Sequence, residues 1–159
     1  EDHVLDQDLP VWVPLPPIPE VQIALEAAVA NVLHENQLEV KTALRVGTVV
    51  TTDDRDWELR AQELRQRFRQ SRAVGVDMES ATVAANGFRF RVCYGTLLCV
   101  SDKPVHGELK LRGAANDFYR QRVAEHLHIG LEAVRILREQ GVNKLQSRKL
   151  RGFDEPPFR

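Results

Sequence analysis

An α/β fold organised around a parallel sheet is the architecture this sequence predicts, and three observations predict it. Segments of strand character, TALRVGTVVTT (42–52), RAVGVDME (72–79) and RVCYGTLLCVS (91–101), alternate with stretches of helical period. The third of these is apolar on both parities, as expected of a strand covered on both faces in a parallel α/β sheet. About a dozen residues part the second segment from the third, close to the shortest crossover that joins parallel neighbours.

Each element has its own justification. Residues 1–19, EDHVLDQDLPVWVPLPPIP, hold five of the eight prolines. Proline lacks a backbone donor and fixes φ, so this stretch is expected to be an extended arm, with Val11, Trp12 and Val13 lying on apolar surface. Pro19-Glu20 opens a helix, and Val21, Leu25, Ala28, Val29 and Val32 form its apolar face. HENQLE (34–39) is a polar connection. The first strand is expected over 44–51, where the sequence is β-branched. DDRD (53–56) makes a turn and a helix N-terminus, where acids meet the positive end of the dipole. Trp57, Ala61, Leu64 and Phe68 then recur at three and four. The opposite face carries Arg60, Arg65, Arg67 and Arg69, which solvation alone explains.

The second strand, 72–79, leads into a short helix, SATVAANG (80–87), with Asn86-Gly87 as its stop. The third strand, 91–101, is followed by the polar loop DKPVHGELKLRG (102–113). The last helix spans 115–140, with Phe118, Val123, Leu127, Leu131, Val134 and Leu137 as its apolar stripe and Gly141 as its end. The tail SRKLRGFDEPPFR has no periodicity. With no repeat, low-complexity tract or internal boundary, residues 1–159 are expected to form one unit: an arm (1–19), an α/β core (20–141) and a tail (142–159).

Composition narrows the function. Of 159 residues, 43% are apolar, and 22 Lys plus Arg face 23 Asp plus Glu, a net charge of −1. That balance argues against a nucleic-acid partner, which would call for a basic surplus. No apolar run approaches the ~20 residues that span a bilayer, and no secretory signal is visible. Cys93 and Cys99 lie in one apolar run and read as small buried hydrophobes in a reducing, cytoplasmic setting. His3, His106, His126 and His128 do not form a metal-ligand set. The chain opens on Glu1-Asp2-His3 without an initiator methionine, as expected of a processed start or a piece of a longer polypeptide.

Parallel α/β sheets bind ligands beyond the carboxyl ends of their strands. The second segment ends at Asp77-Met78-Glu79 and the third at Ser101-Asp102. On adjacent parallel strands, Glu79 and Asp102 would face one crevice. Taken singly, each acid reads more readily as a turn or cap residue; the pair, at the ends of successive strands, reads equally either way. Pattern alone therefore gives an α/β enzyme or binding domain with a polar crevice.

The string AVGVDMESATVAANGFRFRVCYGTLLCVSDKPVHGELKL resembles the carboxy-terminal core of the AMP nucleosidase family, within the nucleoside phosphorylase and nucleosidase superfamily. The resemblance extends upstream to VGTVVTTDDRDWELR and downstream to the helix after Phe118-Tyr119-Arg120 and the tail. It implies a three-layer, phosphorylase-like architecture, a partly parallel sheet flanked by helices, present here as an incomplete domain. It implies N-glycosidic hydrolysis of AMP to adenine and ribose 5-phosphate, with no cofactor and no metal. Met78 would pack on the sugar, and Glu79 would accept hydrogen bonds from ribose hydroxyls, which suits an acceptor-only carboxylate. Asp102 would be the catalytic acid, donating a proton or hydrogen bond at purine N7, and would need a pKa raised by burial. Ser101 would position Asp102, and Trp57 and Thr51 are candidates for the base pocket, Trp57 reading more readily as core packing and Thr51 being the weaker of the two. The family's phosphate-binding loop and water-handling acid have no counterpart in this chain. Two further readings stand beside this one: a non-catalytic remnant or assembly module, and an enzyme acting on an unphosphorylated purine nucleoside. A homo-oligomer, or complementation by an amino-terminal segment, is expected.

Overall fold

The computed structural model describes residues 14–33, 40, 41, 43–90, 92–101, 103, 114–141 and 145. Along them run helix α1 (Pro19–Leu33), strand β1 (Val49–Thr51), a 3-10 turn (Trp57–Arg60), α2 (Ala61–Gln70), strand β2 (Gly75–Asp77), α3 (Ser80–Arg89) and α4 (Ala114–Gln140). β1 and β2 pair in parallel, with Val49 opposite Gly75, Val50 opposite Val76 and Thr51 opposite Asp77. Val74 N–H donates to Thr48 O (2.8 Å) and Thr52 N–H to Asp77 O (2.9 Å), so the ladder runs one bond beyond each end. The fold is α/β, and the 3-10 turn with α2 forms the crossover that parallel pairing requires.

The main core lies between α1 and α4. Ala28, Val29 and Val40 meet Ile129 and Ala133, with Leu25, Leu97 and Ile136 around them. Ala24 and Ala28 are fully buried, and such small side chains let the two helices approach closely. Asn31 Nδ2 donates to Glu132 Oε1 (2.8 Å), tying the polar edge of the same interface. Glu132 also accepts two hydrogen bonds from Arg135, both 2.7 Å. The Arg135 guanidinium and, secondarily, the Asn31 amide hold the Glu132 carboxyl down at about 2.

Several elements differ from the sequence expectation. Both strands are three residues long, inside the longer segments 44–51 and 72–79. The third strand does not form among the described residues: 92–101 have no regular structure. A strand needs a ladder partner, and here the backbone groups go elsewhere. Val92 N–H donates to Gly87 O (2.9 Å), and Leu97 O accepts from His126 Nε2 (2.9 Å), which fixes the proton on that ring nitrogen. Tyr94 is buried while Val92, Leu98, Cys99 and Val100 are exposed, so a segment expected to be covered on both faces is covered only in part. Cys93 is half-buried, and Cys99, expected inside, is not.

The helix α3 passes through Asn86-Gly87 and ends at Arg89 instead of stopping there. Asn86 Nδ2 bonds back to Thr82 O (2.9 Å), and Gly87 is buried against the Tyr94 ring, which a Cβ would overlap. Gly87 is thus a close-approach residue. Tyr94 also donates its hydroxyl to Pro16 O (2.6 Å), anchoring the chain just ahead of α1. Val11, Trp12 and Val13 of the arm lie outside the described residues.

The face of α4 is the last correction. Val123, Leu127, Leu131 and Val134, expected to be buried, are each more than half exposed. The helix is apolar on two sides. The small-residue surface of α1 takes the row Ile129, Ala133 and Ile136, at i, i+4 and i+7, and leaves the other row outside. Gly141 ends α4 at φ +77, as its position predicts.

Candidate functional site

Because β1 and β2 are parallel, their carboxyl ends, Thr51 and Asp77, finish side by side. The site is built there. Thr51 Oγ1 donates to Asp77 Oδ1 (2.7 Å) and accepts from Ala81 N–H (2.9 Å). Asp77 Oδ2 accepts from Ser80 N–H (2.8 Å) and from the Ser80 hydroxyl. Two orphan donors at the start of α3 are therefore satisfied from two different strands. Asp77 caps the helix from three residues away, a spacing at which a side-chain oxygen reaches an N-terminal amide.

Met78 and Glu79 occupy the turn that this network closes. Met78 is 39% exposed and Glu79 is exposed. Glu79 sits at the N-cap position with φ −131 and ψ −27, yet its side chain makes no cap hydrogen bond. The sequence put two acids at this strand end, and the structure separates them: Asp77 holds the turn, and Glu79 presents its carboxylate outside the cap.

The other candidates fall as follows. Thr51 is half-buried, with its hydroxyl between Asp77 and Ala81. Trp57 is buried and meets Phe68 edge to face at 5.5 Å, across the start and end of the crossover helix. Asp54 begins that crossover: its Oδ1 accepts from Asp56 N–H (3.1 Å) and its Oδ2 pairs with Arg60. Ser101 is exposed, and Asp102 lies outside the described residues. An open groove of about 670 Å³ runs along α2, lined by Arg65, Arg69 and Arg72 among others. Cations near a helix C-terminus complement its dipole, which accounts for this basic rim without a ligand. Among the described residues no cluster of His, Cys, Asp or Glu could hold a metal, and no helix is long and apolar enough to cross a membrane.

Sequence reasoning did not single out the Thr51–Asp77–Ser80 network. The available signal was an acid three residues ahead of a small polar residue that starts a helical stretch, D-M-E-S.

Comparison with known proteins gives two findings. The phosphorylase superfamily matches residues 4–135. AMP nucleosidase of Escherichia coli (strain K12) is 60% identical over 159 residues, covering 100% of this chain and 33% of that relative. The AMP nucleosidase of Escherichia coli O157:H7 matches with the same figures. The chain thus spans about a third of the length of the curated relatives it matches.

Proposed function

The chain belongs to the phosphorylase superfamily, and from that premise we propose that it forms the ribose-and-base part of an enzyme that cleaves the N-glycosidic bond of AMP, giving adenine and ribose 5-phosphate. The observation that carries this reading is 60% identity to an AMP nucleosidase along the whole chain. The exposed Met78–Glu79 turn at a parallel strand end supports it. Glu79 accepts hydrogen bonds from the ribose hydroxyls, and Met78 packs on the sugar. Asp102 delivers a proton or hydrogen bond to purine N7 as the bond breaks, so that negative charge does not build on the leaving base; such an acid is worth ~10²–10⁴-fold. Ser101 orients Asp102. Two unlinked thiols fit a cytoplasmic setting.

A second reading, an assembly module without activity of its own, is favoured by the exposed apolar row Val123, Leu127, Leu131 and Val134 of α4. Adenine release from AMP decides between them. It is measured with the chain alone and with the chain mixed with the remaining two thirds of the Escherichia coli relative. Release in the mixture supports the nucleosidase reading, and no release in either sample overturns it. Equal release from adenosine would move the substrate to unphosphorylated nucleosides.

A further inference from the structure

We propose that Asp77 and Thr51 act together as positioning residues for ribose recognition. Two side-chain contacts carry the inference. The Asp77 carboxylate bonds forward to Ser80, by its N–H at 2.8 Å and by its hydroxyl. That closes a ring with only Met78 and Glu79 between its ends, so the two residues assigned to the sugar are the ones whose backbone the ring fixes. The second contact sets where the ring points. Thr51 on the neighbouring strand donates to Asp77 Oδ1 at 2.7 Å and accepts from Ala81 N–H at 2.9 Å. One hydroxyl thus ties the end of β1 to the end of β2 and to the first turn of α3.

The chemistry of the groups makes the arrangement specific. A threonine hydroxyl has one proton, and Asp77 receives it, so its lone pair is left for Ala81. An ionised Asp77 has two acceptor oxygens, one spent on each side of the turn. The Glu79 carbonyl accepts from Thr82 N–H (3.1 Å), while its side chain makes no cap hydrogen bond and keeps its carboxylate for a ligand. The proposal rests on the ribose reading of Met78 and Glu79.

The test uses the chain assembled with the remaining two thirds of the Escherichia coli relative, unmodified and as three variants, Thr51→Val, Thr51→Ser and Asp77→Asn. Ligand-observed NMR titration reads affinity for AMP against 2′-deoxy-AMP, and hydrogen exchange reads the Ser80 and Ala81 amides. The unmodified assembly should prefer AMP. Thr51→Val should speed Ala81 exchange and cut that preference about tenfold, the weight of a hydrogen bond to a charged group. Thr51→Ser, which keeps the hydroxyl, should restore both. Asp77→Asn should reduce the preference in the same direction, since an amide cannot accept at both ends of the turn. Faster Ala81 exchange with an unchanged preference would reduce Thr51 to a helix cap and overturn the proposal, while leaving the ribose reading intact. An unmodified assembly that treats the two nucleotides alike, or binds neither, would overturn the ribose reading and this proposal with it.

Discussion

Asp77 and Glu79 are two residues apart, but their side chains face different tasks because only one of them bonds to the helix it precedes. Asp77 bonds to Ser80 N–H at 2.8 Å, whereas Glu79, at the N-cap itself, makes no cap bond. From sequence the two carboxylates look alike. What separates them is Thr51, which lies 26 positions upstream and meets Asp77 only once the parallel register is set. That is why the strand-end acids were legible as a group and their division was not. The proposed roles predict different losses in the chain assembled with the rest of the relative. Glu79→Gln keeps the size and loses the charge, so KM for AMP should rise and turnover should fall as well. Asp102→Asn cannot supply a proton, so turnover should fall by ~10²–10⁴-fold with KM little changed. Steady-state adenine release separates the two, and unchanged turnover in Asp102→Asn would remove the proton-donor role.

At the scale of elements, helices were legible where periodicity is local. The structure starts α1 at Pro19 and ends α4 before Gly141, both as the sequence indicates. The segment 91–101 was not legible, since an apolar run becomes a strand only beside a partner, and its partner is not set by its own residues. Gly87 misled for a related reason. Its lack of a side chain serves contact with Tyr94, not helix termination. In an exposed helix, Gly→Ala gains about 1 kcal/mol. At Gly87 the new methyl would press on the near side of the Tyr94 ring, and overpacking of that kind costs roughly 1–3 kcal/mol. Gly87→Ala should therefore lower the denaturation midpoint, and in a Tyr94→Ala background it should not. The α1–α4 contact makes a pH prediction. The folded Glu132 carboxyl lies at about 2, below its ordinary 4.5. A depressed carboxyl contributes stability that is complete above the ordinary value and is lost as pH falls from about 4.5 toward about 2. Thermal unfolding between pH 6 and 2 should show that decline, and Glu132→Gln should lack this part of it.

The whole molecule carries two apolar surfaces that its described residues leave bare. One is the outer row of α4: Val123, Leu127, Leu131 and Val134, from 52% to 61% exposed. The other is the outer side of residues 92–100, where Val92 and Val100 are 57% and 63% exposed. Folded monomers seldom tolerate contiguous exposed apolar patches beyond a few hundred Å². Among the described residues the sheet has two strands, so its edges offer a template for further pairing. These features agree with a chain that spans about a third of the relatives it matches. We predict that the purified chain either self-associates or pairs with the remaining two thirds of such a relative, and that alone it releases little or no adenine from AMP. Sedimentation across a concentration series reads the first part and an adenine assay the second. Leu127→Glu with Leu131→Glu should weaken association while leaving α4 helical by circular dichroism, since neither side chain belongs to the α1 interface. If the unmodified chain instead sediments as a monomer at every concentration and hydrolyses AMP briskly, the bare faces are tolerated surface, and the 159 residues hold a complete site.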